Sequence, residues 1–132
     1  MNKKVFVNGT FDILHLGHTS LLNYAKTLGD ELSVGIDSDN RVRKLKGTTR
    51  PINDERERAE MLINLKAVDK VYIFDTDEEL VKLVSEHDIM VKGSDYKDKT
   101  IIGKEVCKEL VFYNVLNGYS TTNKIQDIIG RR

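Results

Sequence analysis

The chain has 132 residues, a length that suits one compact domain around one core. Lys and Arg number 21 and Asp and Glu also 21, so the formal net charge is zero and no global excess of positive charge calls for nucleic acid or an anionic membrane. A single cysteine excludes an internal disulfide framework, no apolar run approaches a membrane span, and the apolar stretch after Lys4 is too short for a signal peptide, so a cytoplasmic protein is expected.

Lys4 to Val7 reads as a short buried strand. From Thr19 onward Leu21, Leu22, Ala25 and Leu28 recur at helical spacing up to Gly29, a C-terminal stop. His15, Gly17 and His18 therefore sit on a strand-to-helix turn, with His15 just before the helix and His18 on its first turn. Unpaired backbone N–H groups and the positive end of the helix dipole favour an anion such as phosphate there, and Gly17 lets a ligand approach the backbone closely. Two histidines three apart also occur on ordinary surfaces and in ordinary cores. A zinc site is the weaker reading, because Cys107 and His87 show no ligand spacing.

Glu31 to Ile36 reads as a second strand, closed by Asp37-Ser38-Asp39-Asn40. In a parallel sheet Asp37 and Asp39 fall on the same end as His15, although each also suits simple capping. Arg41 to Arg58 is the most basic stretch and holds the only proline, Pro51. It is expected to be a mobile lid, followed by a helix capped by Asn53 or Asp54 and running through Lys66, with Met61, Leu62 and Leu65 inward. Its interleaved acidic residues equally suit a solvated charged loop.

Lys70 to Phe74 is a third strand, and Thr76 with Glu79 has capping-box spacing before Leu80, Leu83 and Val84. Asp88 to Lys92 is a fourth strand ending in the turn Gly93-Ser94-Asp95-Tyr96. Ile101 to Glu109 is expected to be helical and to bury Val106 and Cys107, and Leu110 to Tyr113 is a fifth strand. Ser120 or Thr121 then caps a last helix bearing Ile125, Ile128 and Ile129. Strands alternating with helices across short connections argue for a single α/β domain, a Rossmann-like five-stranded parallel sheet with helices on both faces. Neither GxxxxGK[ST] nor GxGxxG is present, so an anion site must use the histidines.

The run GTFDILHLGH resembles the first signature of the nucleotidyltransferase superfamily, in which an HxGH motif binds a nucleoside triphosphate at its α-phosphate. LKGxxRPxN, followed by an arginine on the next helix, is similar to the heptose-phosphate adenylyltransferases. KGSDY looks like their KGGDY, with Ser94 in place of the second glycine, and GxSTT resembles the superfamily's second signature. The resemblance covers almost the whole chain. It implies phosphate-directed catalytic roles for His15, His18, Lys46 and Arg58, and nucleotide contacts from Gly9, Thr10, Phe11 and Gly17. It adds further nucleotide contacts from Lys92, Gly93 and Asp95 and from Ser120, Thr121 and Thr122. Asp12 and Asp39 are implied as binders of the second substrate, although Asp12 also suits fixing the turn and Asp39 a helix cap.

The reaction so implied moves a nucleotidyl group from ATP to a sugar 1-phosphate, with magnesium held mainly by phosphate oxygens and water and with a homodimer as the assembly. A phosphate monoester, with a second pKa of about 6, is mostly dianionic at neutral pH, so no general base is required. Cytidylyltransferases acting on glycerol 3-phosphate usually carry RTxGxSTT at the last signature, where this chain has Val115-Leu116-Asn117-Gly118, a departure that favours ATP and a heptose 1-phosphate. CTP with glycerol 3-phosphate is the alternative within enzymes. A nucleotide-binding module without chemistry is the alternative from another class. A nucleic-acid binder built on Arg41 to Arg58 is weaker, because acidic residues interrupt the stretch.

Overall fold

The computed structural model describes residues 2–116 and 118–131; Asn117 lies outside them. Five parallel strands form one sheet: β1 (Lys4–Gly9), β2 (Glu31–Asp37), β3 (Lys70–Phe74), β4 (Ile89–Gly93) and β5 (Leu110–Tyr113). Their spatial order is β3-β2-β1-β4-β5. The connections reverse direction between β1 and β4, which opens a crevice beyond the carboxyl ends of these strands. Among the described residues five helices accompany them: α1 (Leu16–Lys26), α2 (Asp39–Lys46), α3 (Glu55–Ile63) and α4 (Asp77–Ser85) between strands, and α5 (Thr121–Gly130) after β5.

The period-two pattern of the strands sorts the core into two layers. Val5 and Val7 of β1, Leu32, Val34 and Ile36 of β2, and Ile89 and Val91 of β4 pack with Leu22 and Ala25 of α1 and Leu62 of α3. On the other face Phe6, Phe74 and Met90 pack with Leu80 and Val84 of α4 and with Ile101. Each such side chain, once fully buried, contributes about 1.5–3 kcal/mol relative to exposure. The expected architecture is therefore present, with helices on both faces.

Several boundaries differ from the sequence reading. α1 begins at Leu16 rather than Thr19, with His15 as its N-cap, so His18 is the third helical residue. Half of the stretch expected as a lid is ordered structure: Ser38 caps α2 by accepting a hydrogen bond from Arg41 N, and Val42 is buried. Asp54 caps α3, which stops at Ile63 instead of Lys66. Met61 is 52% exposed, so only Leu62 of the expected inward residues is fully buried. Thr76 and Glu79 do form the capping box that starts α4. Between Ile101 and Glu109 there is only a 3-10 turn, Lys104–Val106, preceded by Gly103 at φ +93. A residue in the left-handed region interrupts a right-handed helix, and Val106 is left at the surface with Cys107 half-buried. The apolar spacing of α5 does not reach the core: the helix has no buried residue, and Ile128 and Ile129 are exposed.

Candidate active site

A cleft of about 490 Å³ lies at the carboxyl ends of β1, β2 and β4. Two helix starts face it. Gly17 and His18 of α1 and Thr121 and Thr122 of α5, with the α5 cap Ser120, all line it. The Ser120 hydroxyl oxygen accepts from Asn123 N at 2.9 Å. The Thr121 hydroxyl donates to the Asp12 carbonyl and ties the start of α5 to the loop before α1. The unpaired N–H groups of both first turns make this end of the cleft attractive to phosphate.

His15 and His18 stack with ring centroids 3.7 Å apart. His15 N donates to His18 Nδ1 at 3.2 Å, which assigns the His18 proton to Nε2 as a donor. Burial, then the neighbouring His15 and Lys46, push the His18 pKa down to about 4, against the opposite pull of Asp12. Burial, and secondarily Lys124, also lowers the His15 pKa. Both imidazoles are therefore neutral donors at neutral pH. Phe11 packs against His18 with centroids 5.1 Å apart, and it does so from the left-handed region at φ 52. An outlier of this kind costs about 1–3 kcal/mol and persists only where its surroundings over-determine it. Gly17 is required by space: a Cβ there would stand 2.9 Å from His15 Cε1 and 3.2 Å from Tyr119 Cβ.

Lys46, at the end of α2, faces the same cleft, and its ammonium is shifted to a lower pKa by burial and then by Arg50. Arg50 lines the cleft too, its Nε buried without a hydrogen-bond partner among the described residues and 3.8 Å from Asp12 Oδ2. That carboxylate is already engaged, since Asp12 accepts from Ile52 N at 2.7 Å and from Asn53 N at 2.9 Å. Lys46 and Arg50 thus form a pair of cations with little compensation. Such a pair suits an anionic ligand.

Three residues assigned from the resemblance have other work here. Arg58 is 1% exposed and is not in the cleft wall. Its Nε donates to Asn53 O (3.0 Å), its Nη1 to Thr10 O (2.9 Å) and Asp37 O (2.8 Å), and its Nη2 to Asp39 Oδ1 (2.8 Å). With four of its five N–H donors bound by protein, Arg58 is a positioning residue that ties β1, β2 and the α3 entry together. Asp39 is its counter-ion and lies outside the cleft wall. Asp12 lines the cleft but spends both oxygens on the backbone of the 50–53 loop. Of the two carboxylates at the end of β2, Asp37 is the one that faces the cleft.

Gly9, Thr10 and Phe11 line the cleft, and so do Lys92, Gly93 and Asp95. Arg50, Asn8 and Tyr119 are the additions that sequence reasoning missed. For Arg50 a signal existed, because it is the arginine of LKGxxRPxN itself. Asn8 was legible only as the polar end of an apolar strand.

Protonation of His18 is a testable feature of this geometry. Its folded pKa of about 4 lies below the unfolded value near 6.5, so the unfolded chain binds more protons between these limits. Stability should therefore decline as pH falls from about 6.5 toward about 4, on the scale set by the folded and unfolded pKa values. A His18→Asn variant should lose this component of the pH dependence of Tm. Parallel pH–Tm curves for the two proteins would overturn the assignment.

A family model described as cytidylyltransferase-like matches residues 6–129, and the chain belongs to that family. It is 49% identical over 129 residues to the bifunctional protein HldE of Helicobacter hepaticus, covering 96% of this chain and 27% of that protein. It is 52% identical over 120 residues to the bifunctional protein HldE of Nitratiruptor sp., covering 89% of this chain and 26% of that protein. The chain thus spans about a quarter of the length of the curated relatives it matches. Among solved structures, the lipopolysaccharide core biosynthesis protein of Thermoplasma volcanium superposes with a TM-score of 0.73 at 32% identity, over 89% of this chain and 100% of that chain. A protein of Archaeoglobus fulgidus, 20% identical with a TM-score of 0.65 over 89% and 93% of the two chains, shares the fold.

Proposed function

We propose that this domain transfers the adenylyl group of ATP to a heptose 1-phosphate, giving ADP-heptose and pyrophosphate. The observation that carries the reading is the convergence of His15, His18, Lys46 and Arg50 with the α1 and α5 N-termini on one cleft. The choice of acceptor rests on the similarity to HldE proteins and on the LKGxxRPxN and KGSDY runs.

In this reading an oxygen of the acceptor phosphate attacks the α-phosphorus in line. A new P–O bond forms while the bond to pyrophosphate breaks, and the electron pair leaves on pyrophosphate. The protein's part is alignment of two polyanions and stabilisation of charge on the α-phosphoryl group and the leaving group. The His18 Nε2–H is a preorganised neutral donor, and Lys46 and Arg50 add positive charge. Ser120, Thr122 and the backbone at Gly17 and Thr121 serve the triphosphate, with Gly9, Thr10, Phe11, Gly93 and Asp95 around the nucleotide. Arg58 and Asp12 hold this arrangement in place.

Magnesium would enter on the phosphates: among the described residues no cluster of three His, Cys, Asp or Glu side chains is set to hold a metal. When bound, it would neutralise phosphate charge. No helix among the described residues is long and apolar enough to cross a membrane, and a cytoplasmic location belongs to this proposal. So does a homodimer, for which the exposed Tyr72 and Ile73 of edge strand β3 offer apolar surface.

The test is pyrophosphate release by the purified chain with ATP or CTP, each paired with D-glycero-D-manno-heptose 1-phosphate or glycerol 3-phosphate. Release is expected with ATP and the heptose. Release only with CTP would overturn the nucleotide assignment, and tight ATP binding with no release from any pair would make the domain a binding module.

A further inference from the structure

The strand register places Asn8, Asp37 and Lys92 together on one face of the sheet. On β1 the alternation that points Phe6 at the α4 layer points Asn8 the same way; on β4 Met90 does this for Lys92. On β2 Ile36 faces the opposite layer, so Asp37 joins them. The contacts agree. Lys92 Nζ is 3.5 Å from Asn8 Oδ1, and Asp37 Oδ1 accepts from Arg41 Nε at 2.8 Å while Arg41 lies over the Phe74 ring. His15 and His18 belong instead to the start of α1, which packs on the other face. The cleft therefore has a phosphate end at the helix starts and a mixed-charge end on the α4 face.

Hydrogen-bonding capacity at the mixed-charge end is underused. Lys92 is 7% exposed, yet among the described residues its ammonium has only the long approach to Asn8 and the face of Tyr96, 4.0 Å from the ring centroid. Burial lowers its pKa to about 8, with Asp37 and Asp95 opposing. Asp37 keeps lone pairs beyond those used by Thr10 Oγ1 and Arg41 Nε. A second phosphate would meet the Asp37 carboxylate. Vicinal hydroxyls, each both donor and acceptor, match an ammonium, a carboxylate and an amide set side by side.

We infer that Asn8, Asp37 and Lys92 form the subsite for the hydroxyl groups of the acceptor sugar, which moves Lys92 from the nucleotide to the acceptor. The inference rests on the reading of the domain as a sugar-phosphate nucleotidyltransferase. With the phosphate end holding ATP, a sugar lying over this trio presents its own phosphate to the α-phosphorus from the β2 side, where Lys46 and Arg50 stand.

Titration calorimetry tests it on the whole chain. A non-hydrolysable ATP analogue is titrated first, then D-glycero-D-manno-heptose 1-phosphate into the saturated protein. Asp37→Asn and Lys92→Met should each weaken the sugar phosphate about tenfold or more, as loss of a charged hydrogen bond does, and change analogue affinity less than about twofold. Asn8→Ala serves as a third variant if melting shows either of these misfolded. Loss of analogue affinity with sugar affinity intact would return Lys92 to the nucleotide, and no change in either would remove the trio from substrate binding. A wild-type protein that binds the analogue and glycerol 3-phosphate but no heptose 1-phosphate overturns the acceptor reading, and the same variants titrated with glycerol 3-phosphate then decide the subsite. Binding of neither acceptor overturns both.

Discussion

Replacing His18 with alanine is expected to lower kcat by about 100-fold to 1,000-fold, the usual cost of removing one preorganised donor from a developing charge. The geometry singles out His18 over His15. Its Nδ1 is occupied by the His15 backbone N–H, its ring is packed between Phe11 and His15, and its Nε2–H is left for the ligand. Because the imidazole is neutral in the free protein, binding of substrate does not depend on its charge. ATP affinity should accordingly fall far less than kcat, which single-turnover kinetics with separately measured ATP binding will show. The orphaned His15 N–H should add only about 1 kcal/mol of destabilisation. A variant that retains kcat and loses ATP affinity instead would make His18 a ground-state binding group.

Arg58→Ala is expected to act on the fold. It removes a buried guanidinium that satisfies the carbonyls of Thr10, Asp37 and Asn53 and the carboxylate of Asp39. Breaking a buried pair by deleting one partner typically costs about 3–5 kcal/mol. For a domain of this size that corresponds to a Tm lower by about 10–20 °C, or to loss of the folded state. Arg58→Lys should recover little, because a single ammonium cannot reproduce a planar fork bound at three nitrogens. If Arg58 were a phosphate ligand, the alanine variant would keep its Tm and lose only substrate affinity. Calorimetric melting beside steady-state kinetics separates these outcomes.

These expectations mark the division between what the residues announce and what their packing decides. Local chemistry was legible. Val5 to Val7 and Leu32 to Ile36 are apolar enough to be buried strands, the Thr76–Glu79 spacing forms its capping box, and the turn holding His15, Gly17 and His18 leads into a helix as its pattern indicates. Each depends on residues within a turn or two of one another. The resemblance carried by GTFDILHLGH and GxSTT extended this to the class of reaction.

The same short-range logic failed wherever an outcome depended on distant neighbours. Nothing local distinguishes Arg58 from the other arginines of its stretch; its burial follows from the approach of β1, β2 and the α3 entry, which are far apart in the chain. Asp37 and Asp39 are two residues apart with the same side chain, and the sheet turns one toward the cleft while Arg58 takes the other. Val106 and Met61 have the spacing of core residues, yet no layer covers them. The sequence by itself determined the parallel α/β architecture, the histidine turn and the nucleotidyltransferase class. The tertiary structure alone decided which charged side chains face the cleft and which brace it from behind, because a guanidinium or carboxylate takes its role from the partners that folding brings within hydrogen-bond reach.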